Sequence, residues 1–225
     1  MKTLGREELD KYLEDDYILR LLNSEKSGAF KGQQCHNWLV ESPPKRMMCH
    51  YVYGSIFKSK SKNLRVLDVG GGLSGLIPHL AESAEYALIE IANIEKMGEA
   101  LNGVEVISGD WGAHVRNKKW DIVIANDLFP NVDQRLRTFL DRYIDCCKEI
   151  ILTLTTFENG RFYKAKRLDG DEILTMAAWR KVDVSYILKE FKYTNEIGSC
   201  GDNQDSLFAN GRHVSLVKVR GRGGG

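Results

Sequence analysis

LRVLDVGGGLSGL, residues 64–76, passes from an apolar, β-rich run into a glycine-rich turn. Read as Gly70-x-Gly72-x-x-Gly75, the glycines fit the turn by which a strand brings its backbone close to a nucleoside ligand and aims the next helix at it. A tight strand-to-helix turn with no ligand satisfies the same spacing. Asp68, two residues ahead of Gly70, discriminates further. A carboxylate there would repel a pyrophosphate, because phosphate sites favour backbone N–H groups and positive dipoles. A cationic ligand reverses that penalty.

Downstream, YALIEI, VEVISGD, WDIVIAND and EIILTLTTF are further short β-rich runs, separated by turn residues and helical stretches. The alternation predicts an α/β fold: a three-layer, doubly wound, mostly parallel sheet of seven strands with helices on both faces. NVDQRLRTFLDRYIDCC (131–147) carries Val132, Leu136, Phe139, Leu140, Tyr143 and Ile144 on one side and predicts a helix. After the fifth strand, RFYKAKRLDGDEILTM (161–176) reads as an inserted hairpin about Asp169-Gly170. VDVSYILKEF (182–191) is helix-like. Asn210-Gly211 reads as a hairpin turn leading to an antiparallel last strand, which an otherwise parallel sheet tolerates.

Ahead of the sheet, REELDKYLEDDYILRLL (6–22) spaces Leu9, Leu13, Tyr17 and Leu21 four apart, as one helical stripe. Ser42-Pro43-Pro44 starts another helix, with Met47, Met48, Tyr51, Val52 and Ile56 at helical spacing. The expected organisation is an N-terminal helical cap over 1–62, a main domain over 63–219 and a flexible tail, RGRGGG, over 220–225.

Thirty-two Lys plus Arg balance thirty-one Asp plus Glu. No global field draws the chain to nucleic acid or an anionic membrane. The five cysteines form no CxxC pair, a reduced intracellular pattern instead of a disulfide or zinc framework. With no signal-like start and no run of about 18 apolar residues, the expectation is a cytoplasmic protein that does not engage a membrane.

An acid placed before the glycine loop suits S-adenosylmethionine, whose ammonium and sulfonium are cationic. VLDVGGGLSG resembles motif I of the class I S-adenosylmethionine-dependent methyltransferases, with the third glycine displaced by one position. The resemblance implies S-adenosyl-L-methionine as cofactor, held by Asp68, Gly70, Gly71 and Gly72. Glu90, with Ile91 after it, ends the second strand about 20 residues past the loop, where an acid accepts both ribose hydroxyls. Asp110 would bind the adenine amino group, with Trp111 alongside the ring. Asn126 and Asp127 resemble motif IV, and Asn126-Asp127-Leu128-Phe129 partly matches the N-P-P-[YF] signature of amino-group methylases. Asp at 127 and Pro130 after the aromatic residue depart from it, which slightly favours an oxygen over a nitrogen acceptor. Arg46, His50, Tyr51 and Tyr53 share a helix able to reach the cofactor's carboxylate or the substrate.

Methyl transfer asks little beyond positioning, desolvation and removal of a proton. Asp127 is the first candidate for base or acceptor-binding group, with helix capping as its alternative. His114 and Asn126 follow. No histidine stands near Asp127 and Asp133, so no metal is expected. The N-terminal helices and the 161–176 hairpin, with Trp38, Phe162, Tyr163, Lys164, Lys166 and Arg167, suit a small-molecule acceptor: a sugar, a sugar phosphate or a natural-product intermediate. RNA or protein methylation, a non-catalytic cofactor-binding subunit and an NAD-dependent oxidoreductase remain open, and so does oligomeric state, a homodimer included.

Overall fold

The computed structural model describes residues 2–59, 63–91, 95–114, 118–166, 173–194 and 206–223. Strand β1 (Lys2–Leu4) precedes four helices, α1 (Arg6–Leu13), α2 (Tyr17–Leu22), α3 (Gln34–Glu41) and α4 (Pro43–Ser59). Then come β2 (Arg65–Val69), α5 (Ile77–Ser83), β3 (Glu85–Glu90), β4 (Glu105–Ser108), β5 (Trp120–Phe129), α6 (Leu136–Tyr143) and β6 (Cys147–Thr156). The chain ends with β7 (Phe162–Lys166), β8 (Ile173–Ala177), α7 (Lys181–Leu188), β9 (Tyr193–Thr194) and β10 (His213–Arg220).

The main sheet runs β4-β3-β2-β5-β6-β10, parallel except for β10, which lies antiparallel to β6. The alternating pattern of residues 64–156 is thus realised as a doubly wound sheet. The outer edge of β10 is shared: β9 pairs at Lys218 and Val219, and β1 pairs at Val214, Ser215 and Leu216. β1, which the sequence reading does not anticipate, is an eighth strand covering an edge that the two-residue β9 leaves open.

Successive β2 residues face opposite layers. Val66 packs in the core shared with α1, α2, α4 and α5, whereas Leu67 and Val69 pack in the core shared with α6 and α7. Asp68 therefore points to the α4 side, where Tyr53 waits.

Several expected elements differ. The 6–22 stretch is two helices, because Asp16 accepts from the Leu19 amide and starts α2 afresh. The buried positions are consequently Leu9, Tyr12, Ile18 and Leu22, while Leu13 is exposed. The 131–147 helix shrinks to α6: Asp133 takes the Arg135 amide and the Trp111 indole N–H, holding 131–135 as a loop. Asn210-Gly211 is a turn into β10 and not a hairpin, since 206–209 form no strand and β10 pairs elsewhere. The tail is anchored as far as Gly223: the amides of Gly221, Arg222 and Gly223 donate to the carbonyls of Lys148, Ile144 and Cys147. The 161–176 hairpin forms, as β7 and β8, with Asp169-Gly170 and Arg167 outside the described residues. No helix among the described residues is long and apolar enough to cross a membrane.

Candidate functional site

A crevice of about 670 Å³ opens at the carboxyl ends of β2, β3 and β5, the position expected for ligands of an open α/β sheet. Its floor is Asp68. The side chain is buried, and Tyr53 of α4 and Tyr86 of β3 each donate a hydroxyl to its Oδ2 at 2.8 Å. Oδ1 is buried and has no partner among the described residues. Burial pushes the Asp68 carboxyl up to about 6, against the pull of the two tyrosine hydrogen bonds. Both tyrosines are raised well above their ordinary value, first by burial and then by the Asp68 charge.

The glycine turn wraps this carboxylate. A β-carbon at Gly71 would lie 2.6 Å from the Asp68 carboxyl carbon, so only glycine fits. Gly72, at φ +74°, would bring a β-carbon 2.7 Å from Cys35 Sγ, and its amide donates to Glu90 Oε2 at 2.9 Å. Glu90 Oε1 accepts from the Ile91 amide. Glu90 thus latches the turn to the end of β3. The displaced third glycine has its own reason. The Gly75 amide donates to His36 Nδ1 at 3.2 Å, its carbonyl accepts from Ser27 Oγ at 2.8 Å, and a β-carbon would overlap Ser27. These contacts bring the segment before β2 directly onto the turn.

At the mouth, just past the end of β4, Asp110 pairs with Arg135, whose Nη2 lies 2.7 Å from Oδ2 and whose guanidinium also reaches Asp133. That pairing, with the Gly112 amide, holds the Asp110 carboxyl below its ordinary range. Trp111 is buried edge-on against Phe129 and Phe139, donates its indole N–H to Asp133, and carries the Arg135 guanidinium 4.5 Å above its ring. Ile91 lines the mouth and is half exposed.

The opposite end is built by a bulge. Between Ala125 and Phe129, four steps along β5 oppose two along β6, and Asp127 takes φ +58°. The extra residues turn Asn126 and Asp127 toward the crevice. Asn126 Oδ1 accepts from Thr153 Oγ1 at 2.7 Å, and its amide nitrogen faces Cys49 Sγ at 3.5 Å. Burial pushes that thiol up to about 12. Asp127 Oδ1 accepts from Arg212 Nη1 at 2.9 Å and from Asn131 and Thr155, each at 3.2 Å. Its Oδ2 accepts from Arg212 Nη2 at 3.0 Å and Lys45 Nζ at 3.3 Å. These donors fill the roughly four lone-pair positions of a carboxylate, which makes Asp127 a clamp for cations and not a free base. The hairpin closes over this end: Leu174 lines the crevice, and Tyr163 donates to the Asn131 carbonyl.

Two sequence candidates are not brought here. Arg46 is buried against Asp16 and the carbonyls of Leu39 and Val40, bracing α2 and α3 on α4. His114 lies off the crevice, with its carbonyl taken by Arg142. Lys45, Tyr86 and Arg212 went unread because their partners are 18 to 85 positions away in sequence, and Asn131 and Arg135 because they lie in a loop where a helix was expected. Among the described residues no three His, Cys, Asp or Glu side chains gather as a metal-ligand set.

No family model matches the chain, and no curated protein matches it. Solved structures do. DhpI in complex with SAH superposes with a TM-score of 0.56 at 13% identity, covering 95% of this chain and 96% of that one. The PH0226 protein from Pyrococcus horikoshii OT3 gives 0.51 at 18% identity, over 77% of this chain and 89% of its own. The glycopeptide N-methyltransferase MtfA complexed with S-adenosyl-L-homocysteine gives 0.50 at 12% identity, over 75% and 87%. With its strand order, its antiparallel β10 and these likenesses, the chain has the fold of the class I S-adenosylmethionine-dependent methyltransferases.

Proposed function

We propose that the chain is an S-adenosylmethionine-dependent methyltransferase acting on a small molecule. The observation that carries this reading is the unpartnered, buried Oδ1 of Asp68 beneath the glycine turn. A buried carboxylate with an open oxygen is costly alone and is relieved by an ammonium, so the residues present fit the amino-acid end of the donor. Glu90 stands at the carboxyl end of β3 on the crevice wall, where an acid meets ribose hydroxyls, and Ile91 and Gly109 to Trp111 flank room for a nucleobase. A dinucleotide fits less well. The Gly72 and Gly75 amides are already engaged, and α5 starts only at Ile77 with Pro78 in its first turn, which leaves no row of amides for a pyrophosphate.

When bound, S-adenosylmethionine supplies a sulfonium methyl group already activated for displacement. The chain contributes binding, orientation and exclusion of water. Residues 1–62 act as a cap on the 63–219 domain: Cys35, Trp38 and Leu39 line the crevice from above the glycine turn. The β7–β8 hairpin covers the acceptor end. Asp127 acts there as a positioning residue for Lys45 and Arg212, and Asn126 and Asn131 face the acceptor. Asp127 stands where the signature of amino-group methylases has a proline after the asparagine, and this departure supports oxygen over nitrogen as the acceptor atom. A sugar, a sugar phosphate or a natural-product intermediate suits a crevice of this size.

The engaged carboxylate of Asp127 also favours a second reading, a donor-binding subunit without transfer activity of its own. Calorimetry with S-adenosylhomocysteine and NAD tests the first step. Binding of S-adenosylhomocysteine without NAD is expected, and NAD binding alone would overturn the proposal. Methyl transfer from labelled donor to a panel of sugars and small acids then separates enzyme from subunit.

A further inference from the structure

We infer that the acceptor end of the crevice is built around Lys45 for an oxyanion, so that the small-molecule acceptor carries a carboxylate or a phosphoryl group. The inference rests on the methyltransferase reading above and names the acceptor class for that site.

The charges at this end do not cancel. Asp127 brings one negative charge, and Arg212 meets it with two bonds of 2.9 and 3.0 Å in the parallel geometry that suits a guanidinium fork. Arg212 is held there by burial, its side chain only 7% exposed, and by the Phe208 ring 4.1 Å beneath its guanidinium. The charge of Asp127 is therefore answered before Lys45 is counted. Lys45 adds a second cation, with Nζ 3.3 Å from Asp127 Oδ2 and 5.0 Å from the Trp38 ring centroid. An ammonium has three donors. One goes to Asp127, and among the described residues no other acceptor takes the remaining two.

Lys45 lines the crevice with its side chain 26% exposed, and an acceptor that displaces water from this charge repays the loss most fully with an oxyanion, whose charge a neutral oxygen does not match. The remaining acids on the crevice wall stand elsewhere. Asp68 and Glu90 floor the donor end, while Asp110 and Asp133 are tied to Arg135. The crevice is thus acidic where a cationic donor fits and basic where the acceptor enters. Trp38 supplies an apolar wall beside the ammonium, and Leu128 and Leu174 add apolar lining to the same crevice for the body of that acceptor.

The test uses the full chain saturated with S-adenosylhomocysteine at constant ionic strength, and reads the Trp38 indole N–H by NMR, assigned through Trp38→Phe. Acetate, inorganic phosphate and neutral acetamide are titrated in turn. A saturable shift is expected with acetate or phosphate and none with acetamide; the tighter of the two anions identifies carboxylate or phosphoryl as the group recognised. Lys45→Gln should weaken that binding at least tenfold, and Lys45→Arg should restore most of it. Equal response to acetamide, no saturable response to either anion, or unchanged affinity in Lys45→Gln would overturn the inference. If S-adenosylhomocysteine itself does not bind, the methyltransferase reading falls; if it binds and the anions do not, only the acceptor class falls.

Discussion

Gly71 lies against the carboxylate of Asp68 so closely that a β-carbon at position 71 would stand 2.6 Å from Asp68 Cγ and 2.8 Å from Oδ1. The turn and the acid ahead of it are one object, a backbone folded over a buried charge. The missing side chain of Gly71 is what lets the backbone come so close to the carboxylate.

Gly71→Ala should therefore reduce affinity for S-adenosylhomocysteine by more than tenfold, since the methyl group displaces the carboxylate that would receive the ammonium. Overpacking of this kind destabilises by roughly 1–3 kcal/mol. Calorimetry alongside thermal unfolding separates the two effects, and an unaltered affinity would disprove the arrangement.

The pH dependence follows from Asp68, whose folded value of about 6 lies above its ordinary value of 3.8, chiefly because burial penalises the charge. A group raised on folding contributes stability at low pH that is lost as pH rises through the folded value. The unliganded protein should thus lose stability from this group between about pH 4 and 6, by about 3 kcal/mol in total. Binding of a cation opposes that loss. Affinity for S-adenosylhomocysteine should rise between pH 5 and 7 and then level, and Asp68→Asn should flatten the profile and stabilise the unliganded protein at pH 7.5 relative to pH 5.

Tyr53→Phe removes one of the two hydroxyls that stabilise the Asp68 charge and hold its pKa down. The midpoint of the same affinity profile should move to higher pH, with Tyr86→Phe acting likewise. A midpoint unchanged in both variants would show that another group governs the profile.

The third glycine tests how the N-terminal segment closes on the turn. Gly75→Ala would force a methyl group into Ser27, 2.6 Å from its Oγ, and toward His36 Nδ1 at 3.0 Å. A loss of roughly 1–3 kcal/mol in urea unfolding is expected. Ser27→Gly removes the obstructing atoms, so the double variant should recover part of that loss beyond additivity.

Arg212→Met leaves Asp127 with Lys45 as its remaining cation. Breaking a buried ion pair costs roughly 3–5 kcal/mol when a charge is stranded; the remaining lysine should hold the loss to the lower end of that range. Asp127→Asn added to Arg212→Met should restore some of the stability. Denaturant midpoints measure both.

The sheet was legible because period is a local property: residues 64–156 alternate short β-rich runs with turns and helices, and only a parallel, helix-covered sheet buries runs that are apolar on both faces. The acid ahead of the glycines was legible for a similar reason, since a five-residue strand rigidly relates Asp68 to Gly70. The length of α6 was not, because Asp133 spends its carboxylate on the Arg135 amide and Trp111 instead of starting a helix, a choice made by Trp111 from 22 positions away. Arg46, read as a cofactor ligand, was claimed by Asp16 across 30 positions.

By itself, then, the sequence determined the α/β alternation, the carboxylate at the glycine turn and the order of acids at successive strand ends, all set by neighbours along the chain. Tertiary structure decided the rest. It brought β1 to the edge of β10, Ser27 and His36 onto Gly75, and Arg212 onto Asp127 from 85 positions away. Such pairings have no period or spacing to read, because each depends on which side chain the packed sheet leaves facing a buried charge.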